Sequence, residues 1–348
     1  MNIFIDSNIL FQDYFFENKS NKQLIEYCEK GFVNIYMAEI VRLELRRQFE
    51  KEIVSQNREI KRLSKDSLRL KTDIVVPEIS IETQLKKFDD FYSRKEILDN
   101  FDILNYKNEF LPDIVNRAIN RRKPFTEEKS ELKDALIWKT YSDYAEQNTI
   151  EDCILLTNNT SDFCAKNDKK TIHPELQEDS KKFTVINSSF DFIKTYAPLL
   201  ESPEYKFQVY INQFIIDEEF VLKIISENFE RKLEDNIHNK IDRIHPSELF
   251  EDDFVFDGQL VGYNIELLEC EEIEFEIIHN KALISGLVIV NCETEILEYN
   301  SVRDPGEDSF TSIGERTIQF AVYFNFDFLE DEIAEDFEIT AIEICGIE

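Results

Sequence analysis

The chain has 348 residues with 72 acidic and 40 basic side chains, a formal net charge of −32, and that length has room for two domains with substantial cores. The charge is uneven: residues 1–200 hold 35 acids against 31 bases, and residues 201–348 hold 37 against 9. The second part is thereby excluded as a surface for a phosphate backbone, whereas the first, close to neutral once divalent cations bind, can approach nucleic acid.

In chain order, the apolar run Asn2–Ile5 predicts a buried strand that delivers Asp6 at its carboxyl end. Leu24, Ile25, Tyr27 and Cys28 give a partial helical stripe, which Gly31 breaks before a second strand, Val33 to Met37. From about Ala38 to Leu70 the pattern is long, charged and helical. Pro77 and Ser80 interrupt it, and residues 82–120 read as mainly helical, with Phe88, Phe91, Tyr92, Ile97 and Leu98 as apolar contacts. The basic loop Arg121-Arg122-Lys123-Pro124 opens a non-helical stretch. Residues 131–147 predict a helix, because Leu132, Ala135, Leu136, Trp138 and Tyr141 recur at helical spacing. Cys153–Thr157 is the next strand, and Phe183–Ile186 closes the sheet before a helix near 189–197 that is expected to end at Pro198. This alternation is that of a parallel sheet with helices on both faces.

Pro198, Ser202 and Pro203 mark a boundary, giving expected domains 1–200 and 201–348. Residues 207–242 read as helical. After about 255 the pattern alternates as in antiparallel strands, for instance at Phe320, Val322, Phe324 and Phe326. The expected class is therefore α/β for the first domain and α+β, mainly antiparallel β, for the second.

Six cysteines show neither a C-x-x-C pair nor a histidine at zinc spacing, so reduced thiols in a cytoplasmic protein are expected. Met1 leads straight into a strand with no signal-peptide pattern, and no apolar run reaches transmembrane length, so no membrane association is expected.

In an open parallel sheet, ligands bind beyond the carboxyl ends of the strands. Asp6 and Asp162 lie there, Glu44 lies on the helix after the second strand, and Asp134 lies near the start of the helix before the third. Four acids gathered in one small cleft cannot all stay ionised without a cation. An all-oxygen ligand set for a hard divalent ion points to phosphodiester chemistry. Glu39, about one and a half turns before Glu44, competes with it, and His173 beside Pro174 reads as a turn residue. Arg46, Arg47, Lys51, Arg121, Arg122, Lys123 and Lys129 are the basic residues nearest these positions, and Lys129 could reach a phosphate. The charges from Arg58 to Arg69 read as a solvated helix face.

Asp6-Ser7-Asn8 after an apolar strand, Glu44-Leu45, Asp134-Ala135-Leu136-Ile137, and Thr157-Asn158-Asn159 with Asp162-Phe163 resemble the ordered motifs of PIN-domain nucleases. The likeness covers roughly residues 1–197. It is greatest to a large subgroup in which Ile-Trp follows the third acid and His-Pro-Glu-Leu the last loop, here Ile137-Trp138 and His173–Leu176. It implies a three-layer PIN-like domain with a central parallel sheet and a long helical insert near 50–125. It also implies metal-dependent hydrolysis of single-stranded RNA, less often of single-stranded or flap DNA. Mg²⁺ or Mn²⁺ would be held by Asp6, Glu44 and Asp134 as principal ligands, with Asp162 at a second site or positioning water. Asn159 could share the role of Asp162, and Asn8 would orient Asp6. A homodimer, and a role as a growth-control toxin or in antiphage defence, are consistent with the resemblance. The alternative is a scaffold that binds RNA or protein without cutting.

No metal, nucleophile or phosphate-loop pattern follows residue 205, and Asp304–Asp308 has calcium-loop composition without the ligand spacing. The acidic second domain reads as an interaction or regulatory module. Its options are to bind a basic protein, to mimic nucleic acid, to close the cleft by pairing with the loop at 121–123, or merely to confer solubility.

Overall fold

The computed structural model describes residues 1–72, 76–97, 100–125, 131–165, 168–249, 258–302, 306 and 308–348. It divides into two units, Met1–Leu200 and Glu201–Glu348. Leu98, Lys129, Asp304, Pro305 and Glu307 lie outside the described residues.

The first unit begins with β1 (Asn2–Ile5), α1 (Lys19–Glu29), β2 (Asn34–Ala38) and the long α2 (Glu39–Leu70). It continues through α3 (Ile81–Lys95), β3 (Phe101–Leu104), α4 (Leu111–Asn120), α5 (Leu132–Gln147) and β4 (Cys153–Leu156). Then come α6 (Thr160–Phe163), β5 (Cys164–Ala165), β6 (Asp168–Ile172), α7 (Pro174–Gln177), β7 (Phe183–Ile186) and α8 (Ser189–Leu200).

These strands form one sheet in the order β3-β2-β1-β4-β7-β6-β5. The pairs from β3 to β7 are parallel, and β6 and β5 extend the edge antiparallel. Ile3, Phe4 and Ile5 are fully buried and Cys153–Leu156 are buried throughout, as strands covered on both faces require. From β1 the chain steps outward to β2 and β3, then crosses back to β4 on the other side of β1. Parallel crossovers are as a rule right-handed, so crossovers in opposite directions place helices on both faces, which is the three-layer α/β arrangement. The same reversal opens a crevice between the carboxyl ends of β1 and β4. Because Ile5 is level with both Met37 and Leu156, the residues that follow (Asp6, Ala38 and Thr157) emerge together at that rim.

Two details depart from the sequence reading. The stretch 82–120, expected to be mainly helical, contains β3. Four residues at a sheet edge, only Phe101 and Leu104 of them buried, carry too little alternation to stand out between two helices. The last helix runs past Pro198 to Leu200. The proline ring removes one late hydrogen bond there, and the complete burial of Leu200 holds the final turn.

In the second unit, α9 (Pro203–Ile211), α10 (Glu218–Ile224) and α11 (Glu230–Ile241) precede four long strands. These are β8 (Gly258–Ile278), β9 (Lys281–Tyr299), β10 (Phe310–Phe328) and β11 (Ala334–Ile347), an antiparallel meander in chain order. Alternate residues of β9 and β10, such as Ile284, Val290, Phe320, Val322 and Phe326, form one core with Phe207, Ile211, Leu233, Ile237 and Ile241 of the helices. At Gly262 a Cβ would stand 2.6 Å from Ile241 Cδ1 and 2.9 Å from Cys292 Sγ, so glycine permits the close approach of α11 to the sheet.

Candidate active site

Asp6 leaves β1 and caps the short 3₁₀ turn Ser7–Ile9. Its carboxylate is buried, and both oxygens are engaged. The Ser7 N–H donates to Oδ1 at 2.7 Å, while Asn8 Nδ2 and Thr157 Oγ1 each donate to Oδ2 at 2.6 Å. Asn8 Oδ1 in turn accepts the Asn158 N–H at 2.8 Å, tying the ends of β1 and β4 across the crevice. Burial pushes the Asp6 carboxyl above its ordinary range. The hydrogen bonds from Thr157 and Ser7 oppose that, and the charge of Glu44 adds to it.

Glu44 reaches the same place from α2. It accepts a hydrogen bond from Ser7 Oγ at 3.0 Å and forms an ion pair with Lys133. Its competitor Glu39 pairs with Arg42 at 2.6 Å and lines a separate cavity with Tyr92 and Glu96.

Asp134 lies in the first turn of α5. One carboxylate oxygen from each of Glu131, Asp134 and Asp162 lies within 4.8 Å of the others. The Asp134 carboxyl is pushed up to about 8, chiefly by burial, then by a hydrogen bond with Glu131 and by the charges of Asp6, Glu131 and Asp162. A hydrogen bond between two carboxyl groups requires a shared proton, and a cation can take that proton's place.

Asp6, Glu44, Glu131, Asp134 and Asn159 line one open cavity of about 540 Å³. Three of the four expected acids thus share a cleft, and the buried Asp162 joins them through Asp134. Asn159 also faces Asp134, its Nδ2 at 3.5 Å from Oδ1. Asn8 bonds Asp6, as a residue that orients a ligand must.

Glu131 is absent from the sequence-based set. The signal for it is its spacing of three from Asp134: Glu131 is the residue that precedes α5, and the first turn of the helix brings Asp134 back beside it. Lys133 and Thr157, likewise unassigned by the sequence reading, enter through the Glu44 ion pair and the Asp6 hydrogen bond.

The basic loop is more committed than its sequence implies. Arg122 pairs with Glu178, the Lys123 N–H donates to Glu175 Oε2 at 2.7 Å, and Lys123 Nζ donates to the Ser161 carbonyl at 2.7 Å. Neither Arg121 nor Arg122 is among the residues lining the cleft. His173 Nδ1 accepts the Glu175 N–H at the start of α7 and is a turn residue. Trp138 Nε1 donates to Asp179 Oδ2 at 2.8 Å, where Arg117 at 2.7 Å and Lys139 at 3.0 Å also converge. This polar knot ties α4 and α5 to the turn after α7.

The acids of the cleft are all carboxylates, one oxygen from each of Glu131, Asp134 and Asp162 is close enough to share one ion, and repulsion among them is already expressed at Asp134. Those properties fit a hard divalent cation. No helix among the described residues is long and apolar enough to cross a membrane. No curated protein and no solved structure matches the chain. Residues 3–163 match a family model described as PIN domain. The match lies within the N-terminal unit, which carries the acidic crevice at the β1–β4 switch point, and it places residues 3–163 in the PIN-domain superfamily, whose members are typically nucleases.

Proposed function

We propose that residues 1–200 are a metal-dependent endoribonuclease that cuts single-stranded RNA, with Mg²⁺ or Mn²⁺ held by Asp6, Glu44, Asp134 and Asp162, to which we add Glu131. The observation that carries this reading is the convergence of acids in the crevice: one oxygen from each of Glu131, Asp134 and Asp162 lies within 4.8 Å of the others, and Asp6 and Glu44 line the same cleft as Asp134. A purely structural site has no reason to keep such repulsion. A bound divalent ion would supply Lewis-acid polarisation of the phosphate and a more acidic water.

The protein's own groups do the remaining work. Thr157, Asn8 and the Ser7 N–H fix the Asp6 carboxylate, so its orientation is set before substrate arrives. Lys133, which neutralises Glu44 in the free protein, holds positive charge at the cleft for a phosphate. Asn159 presents an uncharged amide beside Asp134.

The acidic second unit, residues 201–348, is assigned as an interaction or regulatory domain for a basic protein partner. Its 37 acids against 9 bases favour such a partner over nucleic acid. The six free cysteines suit a reducing compartment, and we place the protein in the cytoplasm. There, cleavage of cellular or invading RNA would serve growth control or phage defence.

The test is incubation of the full chain with labelled RNA and single-stranded DNA in Mg²⁺, Mn²⁺ or chelator, beside Asp134→Asn. Cleavage of RNA that needs metal and is lost in the variant is expected. Cleavage that persists in chelator, or is unchanged in the variant, overturns the mechanism.

A further inference from the structure

We propose that Phe11 and Gln48 form a subsite for one unpaired nucleobase of a single-stranded substrate, immediately beside the carboxylate cleft. This rests on the nuclease reading of that cleft and names what the cleft grips beyond the phosphate. Both residues line the same 540 Å³ cavity as Asp6, Glu44 and Asp134.

Phe11 is 53% exposed at the cavity edge, and among the described residues no ring packs on it. An uncovered aromatic face beside a ring of acids repels nothing uncharged and offers a flat surface, which is what a base needs for stacking. Gln48 supplies the second, independent observation. Its Oε1 is buried and has no hydrogen-bond partner, although it borders a polar cleft. A buried acceptor left unpaired costs free energy that a ligand's N–H recovers, and the edges of unpaired bases present such donors.

The surroundings say which part of a nucleotide turns inward. Glu44, Gln48, Glu52 and Gln56 follow one another at intervals of four along α2, so they form one stripe on its surface. The first two line the cleft, and the last two line a neighbouring cavity of about 410 Å³, together with Tyr14, Phe15 and Phe49. Asp13, Glu17 and Glu52 also line that cavity, so phosphates are repelled from it while an uncharged base is not. The groove thus favours a strand whose backbone passes the carboxylate cleft and whose base turns toward α2.

The experiment measures both cleavage and binding of short unstructured RNA by the full chain. Binding is followed with Ca²⁺ in place of Mg²⁺, which keeps the carboxylates neutralised while slowing cleavage, with a probe carrying a single fluorescent 2-aminopurine whose emission is quenched by stacking. Wild type should quench the probe. Phe11→Ala should lose the quench, weaken binding and raise KM roughly 5- to 150-fold, the loss expected for one stacked base, with kcat little changed. Phe11→Trp should restore all three. Gln48→Leu, which keeps bulk but removes the acceptor, should alter the base preference next to the cut bond. If wild type cleaves RNA yet Phe11→Ala binds, quenches and cuts like wild type, the subsite is overturned and the nuclease reading stands. If wild type neither cuts nor binds RNA, both fall together.

Discussion

The two units solve the same problem, covering a sheet, in opposite ways. In the first, the parallel strands at the centre of the sheet are buried on both faces, and the acidic cleft lies at the rim where strand order reverses between β1 and β4. Polar groups concentrate there and in the Arg117–Asp179–Trp138 knot, where Asp179 is held by Arg117, Lys139 and Trp138. In the second, a four-stranded antiparallel meander presents one apolar face to three helices, and nearly all excess acid in the chain lies on this unit. The comparison teaches that charge and chemistry are separable: the unit richest in carboxylates holds no identified acid cluster with metal spacing among the described residues, whereas the nearly neutral unit does. Convergence, not abundance, makes an acidic site.

The sharpest way to break this contrast is at the site. Asp134→Asn should lower metal-dependent RNA cleavage by about a thousandfold, the several kcal/mol that charge stabilisation by a hard cation supplies, and leave the melting of residues 201–348 unaltered. Turnover measured beside differential scanning calorimetry checks both halves. The complementary variant is Phe320→Ala, which removes a fully buried ring from the β10 core. It should destabilise the second unit by about 3–5 kcal/mol while cleavage at low temperature persists. Loss of cleavage in that variant would mean the units are not energetically independent.

Smaller effects sharpen the reading of the first unit. Arg117→Met leaves the largely buried Asp179 with Lys139 as its one remaining cation, beside the Trp138 N–H, and should cost about 3 kcal/mol in denaturant melts, without changing the metal requirement. Asn8→Ala frees one side of the Asp6 carboxylate and should weaken Mn²⁺ binding, read by calorimetry, by about 10- to 100-fold.

The mildest change is with pH. A folded-state value near 8 for Asp134, against an ordinary value of about 4, means the folded protein holds a proton there that the unfolded chain releases. This carboxyl therefore favours folding most at acid pH, and that contribution is lost as pH rises through about 8. Cation binding displaces the same proton, so Mg²⁺ affinity should climb at most about tenfold per pH unit up to about 8 and level off above it. Asp134→Asn should flatten both dependences.

Much of this was legible from residue order. Apolar runs at Asn2–Ile5 and Cys153–Leu156 announce buried strands because burial on both faces demands continuous hydrophobicity. Asp6 and Asp134 follow from their places at a strand end and a helix start, and the charge partition is a matter of counting. The edge strand Phe101–Leu104 escaped because four half-buried residues carry almost no periodicity.

Tertiary structure alone decided the rest. It set Glu44 beside Asp6 and Glu39 in a separate cavity, drew Glu131 to Asp134 and Asp162, bound Arg122 to Glu178, and set Phe11 and Gln48 beside the cleft. The reason is physical. Periodicity records which face of an element is buried. Which side chains meet depends on strand order and the direction of the crossovers, and these are fixed by contacts between residues far apart in the chain.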